Sequence, residues 1–311
     1  MLSFIQIDGN PPPEGAEAVE FHASDGAQLR AAFFPKDGAT KTLILLSGWS
    51  EFIEKYFETV ADMQSFGFNV AMMDWRGQGL SERAGNNQSL THITDFDRYR
   101  MDIEEFTENI VAPRFPSPLF LMTHSMGGAP ALTLLADGYD KFNAAVLCAP
   151  LTKLLMPKRT IIAAKALSSL AVAVGAGERR IPRGGDSPTT FDARALTHDE
   201  ARHNRFVELR KAQPNAAVYG QTFSWLKEAF KTMATFHQPS HFAKMKTPTL
   251  LVSAGNDRLC DPDDHALLAD ASPFIKRILI AEARHEIMME RDDLRKEYFD
   301  AVSDFFKEYE K

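Results

Sequence analysis

Short apolar runs recur along this 311-residue chain, and amphipathic stretches fill most of the gaps between them. Two alternating runs come first, Ala18–His22 and Gln28–Phe34, joined by Ser24-Asp-Gly26. Alternation on both sides of a short polar turn predicts an antiparallel hairpin. Denser apolar runs follow at Thr42–Ser47, Phe68–Met73, Leu119–Met122, Ala144–Cys148, Thr249–Ser253 and Arg277–Ile280. Runs this apolar predict strands buried on both faces. Helical spacing marks Tyr56–Phe66, Phe96–Val111, Met126–Ala136 and His265–Ala271, and a last amphipathic helix from Asp292 to about Tyr309. Strands alternating with helices predict an α/β fold: a mostly parallel, eight-stranded sheet with helices on both faces.

The alternation breaks between Pro150 and Pro248. This stretch holds an apolar segment, Leu154–Val174, a Gly/Pro/Arg loop at Gly175–Pro188, and helical runs near Asp199–Ala212 and Gln221–Thr235. The expected organisation is a core from residues 1–150 and 248–311, with residues 151–247 inserted as a helical cap. The segment Lys153–Arg183 is basic as well as apolar, with Glu178 its only acid. It reads as a packed cap helix, or as a surface that meets anionic lipid.

Composition narrows the class. The chain is 44% hydrophobic and 25% charged, with a formal charge of −7. That balance suits a globular protein and gives no reason to expect nucleic acid as a partner. Cys148 and Cys260 show no metal spacing, so a reducing compartment and no disulfide are expected. The N-terminus lacks a basic stretch followed by an apolar core, which predicts no signal peptide and a cytoplasmic location. The most apolar stretch, Thr160–Gly177, contains Lys165 and is short for a membrane span. Nothing in the pattern speaks to oligomeric state.

The candidate chemistry sits at strand ends. In Leu119-Phe-Leu-Met-Thr-His-Ser-Met-Gly-Gly128 an apolar strand stops at Ser125 and a helix follows. A serine on such a turn projects its hydroxyl outward beside the free amides of a helix N-terminus. Taken alone, Ser125 reads equally as a helix cap. Asp257 follows the strand Thr249–Ser253, and His285 follows Arg277–Ile280. A serine needs a base, and the base needs a partner that fixes its tautomer. The three residues are therefore the catalytic candidates, as nucleophile, orienting acid and base. The expected oxyanion donors are the backbone amides of Met126 and of Trp49, in the loop Ser47-Gly-Trp-Ser-Glu51. His124 and Asp74 read as structural, Asp261 as a helix cap. His198 and His203, and His237 and His241 around Pro239, are poorly spaced for a metal. Gly175, Gly177 and Gly184 follow no strand, so they make no phosphate loop.

Four segments carry a resemblance. They are Ser47-Gly-Trp-Ser-Glu51; Asp74-Trp-Arg-Gly-Gln-Gly79 with Ser81; Thr123-His-Ser-Met-Gly-Gly128; and Gly255-Asn-Asp-Arg-Leu-Cys-Asp261 with Ala283-Arg-His-Glu286. In this order the chain resembles an α/β-hydrolase of the lysophospholipase and monoacylglycerol-lipase branch, over residues 20 to 310. The resemblance implies a small-molecule or lipid ester substrate with an acyl chain, no cofactor, no metal, and a cap that shapes acyl binding. It favours lysophospholipid or monoacylglycerol. A small-ester carboxylesterase, a peptidase and a non-catalytic binder on the same fold are the alternatives. Two positions depart from the pattern. Thr123 stands where the elbow Gly-x-Ser-x-Gly has its first glycine, and Ser47 stands where the oxyanion loop often has histidine.

Overall fold

The computed structural model describes residues 2–182, 189–192, 195–238 and 240–310. Eight strands form one sheet: β1 Glu17–His22, β2 Gln28–Phe34, β3 Lys41–Leu46, β4 Phe68–Met73, β5 Leu119–His124, β6 Ala144–Cys148, β7 Thr249–Ala254 and β8 Ile275–Ile280. Their order is β1-β2-β4-β3-β5-β6-β7-β8. The hairpin β1–β2 is antiparallel and β2 joins β4 antiparallel; every later pair is parallel.

The dense apolar runs have a simple cause. Successive strand residues face opposite sides, and both sides are covered. In β3, Leu43 and Leu45 join one apolar cluster while Ile44 and Leu46 join the other. In β4, Val70 and Met72 separate in the same way from Ala71 and Met73. One face is covered by α1 (Phe57–Ser65) and α8 (Asp292–Lys307), through Val60, Met63, Val302 and Phe306. The other is covered by α2 (Asp97–Glu105) and α3 (Gly128–Ala136), through Tyr99, Ile103, Leu132 and Leu135. Each large apolar side chain buried this way contributes about 1.5–3 kcal/mol.

Several boundaries move. The strand expected to end at Met122 runs on to His124, because Thr123 and His124 still pair with β6. A single 3-10 turn, Ser125–Gly127, precedes α3, so the helix starts at Gly128 rather than Met126. The expected helix Phe96–Val111 is α-helical to Glu105 and then widens to π-type bonding over Phe106–Val111. The helix α7 (Pro262–Ala271) starts before His265, capped by the Asp261 carboxylate on the Asp263 amide.

Between β6 and β7 lie α4 (Lys158–Ala173), α5 (Glu200–Ala212) and α6 (Phe223–Thr235). Asp199 and Thr222 cap the last two by accepting from the amides of Arg202 and Trp225. Of the loop expected at Gly175–Pro188, residues 183–188 lie outside the described residues, and with them Arg183 and Gly184; so does Pro239. Among the described residues no helix is long and apolar enough to cross a membrane.

Candidate active site

β5, β7 and β8 each end at the same edge of the sheet, and each is followed by one of the three candidate residues. Ser125 leaves β5 with φ +48°, a left-handed conformation that costs a non-glycine residue about 1–3 kcal/mol. Close packing holds it there. A Cβ on Gly127 would stand 2.6 Å from the Ser47 carbonyl oxygen, and one on Gly128 would stand 2.5 Å from Pro150 Cβ. The Ser125 carbonyl accepts from the Leu151 amide at 2.9 Å. Thr123 fits the position where glycine is usual because Gly128 faces it: a Cβ there would lie 3.4 Å from Thr123 Oγ1. The Thr123 hydroxyl is buried and, among the described residues, has no hydrogen-bond partner.

The three side chains meet in series. Ser125 Oγ lies 2.8 Å from His285 Nε2, and His285 Nδ1 lies 2.8 Å from Asp257 Oδ2. The second carboxylate oxygen of Asp257 accepts the Leu259 and Cys260 amides at 2.8 and 3.0 Å. Burial pushes the Asp257 carboxyl up, but His285 and these two amides outweigh it and hold it below its ordinary value. Burial pulls the His285 imidazole down; the charge and hydrogen bond of Asp257, with the charges of Glu286 and Glu51, together outweigh burial and leave it above its ordinary value. Ser125 does not cap α3; its hydroxyl is turned to the histidine.

Beside this series opens a cavity of about 740 Å³. Its lining includes Ser125, Met126, Trp49 and His285, and Leu154, Leu167, Phe230 and Met233 from the stretch between β6 and β7.

Residues 37–292 match the Hydrolase_4 family, serine aminopeptidase S33. The chain belongs to this family. It is also 26% identical to lysophospholipase L2 of Escherichia coli strain K12 over 309 residues, covering 94% of this chain and 88% of that protein. Mouse monoglyceride lipase is 25% identical over 254 residues, covering 80% and 76%. Among solved structures, a soluble variant of the Saccharomyces cerevisiae monoglyceride lipase superposes with a TM-score of 0.75 at 21% identity, covering 94% of this chain and 96% of that one. The architecture is the α/β-hydrolase fold.

In this S33-family chain the loop Ser47–Glu51 is fixed at every residue. Trp75 Nε1 donates to the Ser47 carbonyl at 2.8 Å, the Gly48 amide donates to Glu51 Oε2, Trp49 Nε1 donates to Thr91 Oγ1 at 2.8 Å, and the Ser50 amide donates to Gln78 Oε1. Glu51 is the hub. It also accepts from Lys55 Nζ and Tyr56 Oη, both at 2.6 Å, and its Oε2 lies 3.2 Å from His124 Nδ1. Burial pushes the Glu51 carboxyl up, yet Lys55 and His124 hold it well below the usual carboxylate range. His124 Nε2 stands 3.2 Å from the His285 carbonyl oxygen, so this network reaches the backbone of the candidate base. Asp74 fixes its turn as expected: it accepts the Ile53 and Leu80 amides at 3.0 and 2.8 Å and pairs with Arg30 at 3.1 Å.

Sequence reasoning gave Glu51, Lys55 and Gln78 no role. The Glu-x-x-x-Lys spacing of Glu51 and Lys55 was the available signal. Gln78 had none beyond its place in the Asp74–Gly79 segment.

One group of metal-type donors occurs among the described residues: Asp257, Cys260 and His285 offer atoms within 4.8 Å of one another. It fits a metal poorly. Asp257 and His285 are bonded to each other, and burial pushes the Cys260 thiol well up, so no thiolate is offered.

Proposed function

We propose that this protein cleaves lysophospholipids or monoacylglycerols through an acyl-enzyme, with Ser125 as nucleophile, His285 as base and Asp257 as orienting acid. The protein is a serine ester hydrolase; the head group and the residue roles are the proposal. The observation that carries it is the unbroken series Asp257–His285–Ser125, at 2.8 Å per contact, opening into an apolar cavity. His285 Nε2 takes the Ser125 proton as Oγ attacks the acyl carbonyl carbon. The tetrahedral oxyanion is received by the amides of Met126 and Trp49. The flanking Gly48 and Ser50 amides are already given to Glu51 and Gln78, which supports the Trp49 amide as the donor in that loop. The intermediate collapses, and His285 returns its proton to the leaving alkoxide. Water then attacks the acyl-enzyme by the same route and releases the fatty acid.

An acyl chain accounts for the apolar lining supplied by Leu154, Leu167, Phe230 and Met233, from the stretch read as a cap. An outward face of α4 supports peripheral contact with the inner membrane surface. Ile162 and Leu170 on α4 and Val174 just past its end are 58, 60 and 68% exposed, and Lys158 and Arg159 open the same helix. Apolar residues flanked by basic ones suit an interfacial helix. The family description also raises a peptidase reading, which calls for a carboxylate open to a peptide amino terminus. Among the described residues the two carboxylates that line the pocket are already engaged, since Lys55 Nζ bridges Glu51 at 2.6 Å and Glu286 at 2.9 Å.

A substrate panel tests the reading: lysophosphatidylcholine, monoacylglycerols, short nitrophenyl esters and an aminoacyl nitroanilide. Long-chain monoacyl lipids should give the highest kcat/KM. A preference for the short esters or the anilide would overturn it.

A further inference from the structure

The segment after β4 reaches both halves of the expected oxyanion site. Gln78 is fully buried. Its Oε1 accepts the Ser50 amide, next to Trp49, and its Nε2 lies 3.5 Å from Met126 Sδ, next to the nucleophile. Trp75 holds the Ser47 carbonyl, and the Gln78 amide bonds back to the Trp75 carbonyl at 3.0 Å. Trp49 is thus bracketed on both sides by one short turn, and that turn also touches Met126.

Ser50 adds a second argument. It adopts φ +65°, where a side chain is strained and glycine is free. A serine stands there all the same, 2% exposed, and its Oγ donates to the Val218 carbonyl at 2.9 Å. Val218 belongs to the segment between α5 and α6. The strained residue is therefore clamped between Gln78 below and the insertion above.

We infer that Gln78 and Ser50 are positioning residues that set the Trp49 amide toward the reacting carbonyl oxygen and lock it to the Met126 half of the site. The inference rests on the oxyanion role proposed for Trp49 and Met126. Neither residue touches substrate; both act through the loop. Losing an oxyanion donor outright costs about 10²–10³ in turnover, and a displaced donor should cost less, about 10-fold or more.

The test compares Gln78→Met, Ser50→Gly and Ser125→Ala on a soluble nitrophenyl ester. Two inhibitors accompany them: a trifluoromethyl ketone, which forms a tetrahedral adduct, and a free fatty acid, which does not. For Gln78→Met and Ser50→Gly the account expects kcat to fall about 10-fold with KM nearly constant. The ketone should weaken by the same factor and the fatty acid should bind unchanged. Ser50→Gly removes strain, so it decides the matter alone if Gln78→Met does not fold. Wild-type turnover in both variants, or equal weakening of ketone and fatty acid, overturns the inference. Activity in Ser125→Ala would instead overturn the underlying site assignment, so the two failures are distinguishable.

Discussion

The polar rim of the sheet and the outward face of α4 are built on opposite rules. At the rim the carboxylates are closely partnered: Asp257 accepts three donors, and Glu51 contacts four groups. Non-glycine residues are held there in left-handed backbone, as Ser50 and Ser125 show. The neighbouring α5 is bolted to the core in the same spirit, with Arg202 reaching Glu58 and Asp292 at 2.6 Å. On α4 large apolar side chains stand in water instead. The contrast separates two tasks. A reaction needs donors and bases fixed before substrate arrives, and buried polar groups are costly unless satisfied. A contact with a lipid surface, as proposed for α4, needs apolar side chains left open to water beforehand.

The sharpest way to break this contrast is at the rim. Asp257→Asn keeps the shape of the site and removes the charge. Turnover should fall about 10³–10⁴-fold. The pH profile should move as well. As the proposed base, His285 can take a proton only when neutral, so activity should be lost as pH falls through its raised pKa. Without the Asp257 charge only Glu286 and Glu51 oppose burial, so the imidazole value falls and the acid limb of kcat/KM should shift to lower pH. An unshifted limb would separate Asp257 from His285 in function. A smaller effect is expected on α4. Replacing Ile162, Leu170 and Val174 together by serine should lower binding to anionic vesicles, and activity on vesicle-borne substrate, about 10-fold. Ten-fold is about 1.4 kcal/mol, or about 55 Å² of apolar area taken out of lipid at about 25 cal/mol per Å², a small part of these three exposed side chains; soluble ester turnover should stay unchanged. Equal losses on both substrates would show that the face serves the fold. Unchanged vesicle binding would remove the membrane contact.

Fold and site were legible to different depths. β3, β4 and β6 announced themselves because a strand buried on two faces must be apolar throughout. Ser125, Asp257 and His285 could be named because each follows a strand in chain order. Their 2.8 Å spacing could not be read, since it depends on three loops far apart in sequence. Thr123 and His124 were missed as strand residues because a polar side chain ends an apolar run before the backbone ends its pairing. Glu51 and Gln78 stayed silent for a related reason. A side chain that binds loop amides leaves no periodic trace, and only the tertiary contact reveals it. In α4 the density of apolar residues looked alike whether they packed or faced water; burial decides that, and burial belongs to the fold.

The central claim is that the hydroxyl of Ser125 is the activated nucleophile of this pocket. A fluorophosphonate probe followed by peptide mass mapping tests it most directly. The account predicts one adduct per chain, on the peptide holding Ser125, blocked by a long-chain monoacyl lipid and absent in Ser125→Ala. An adduct on another residue, or an unreactive folded wild type, would contradict it.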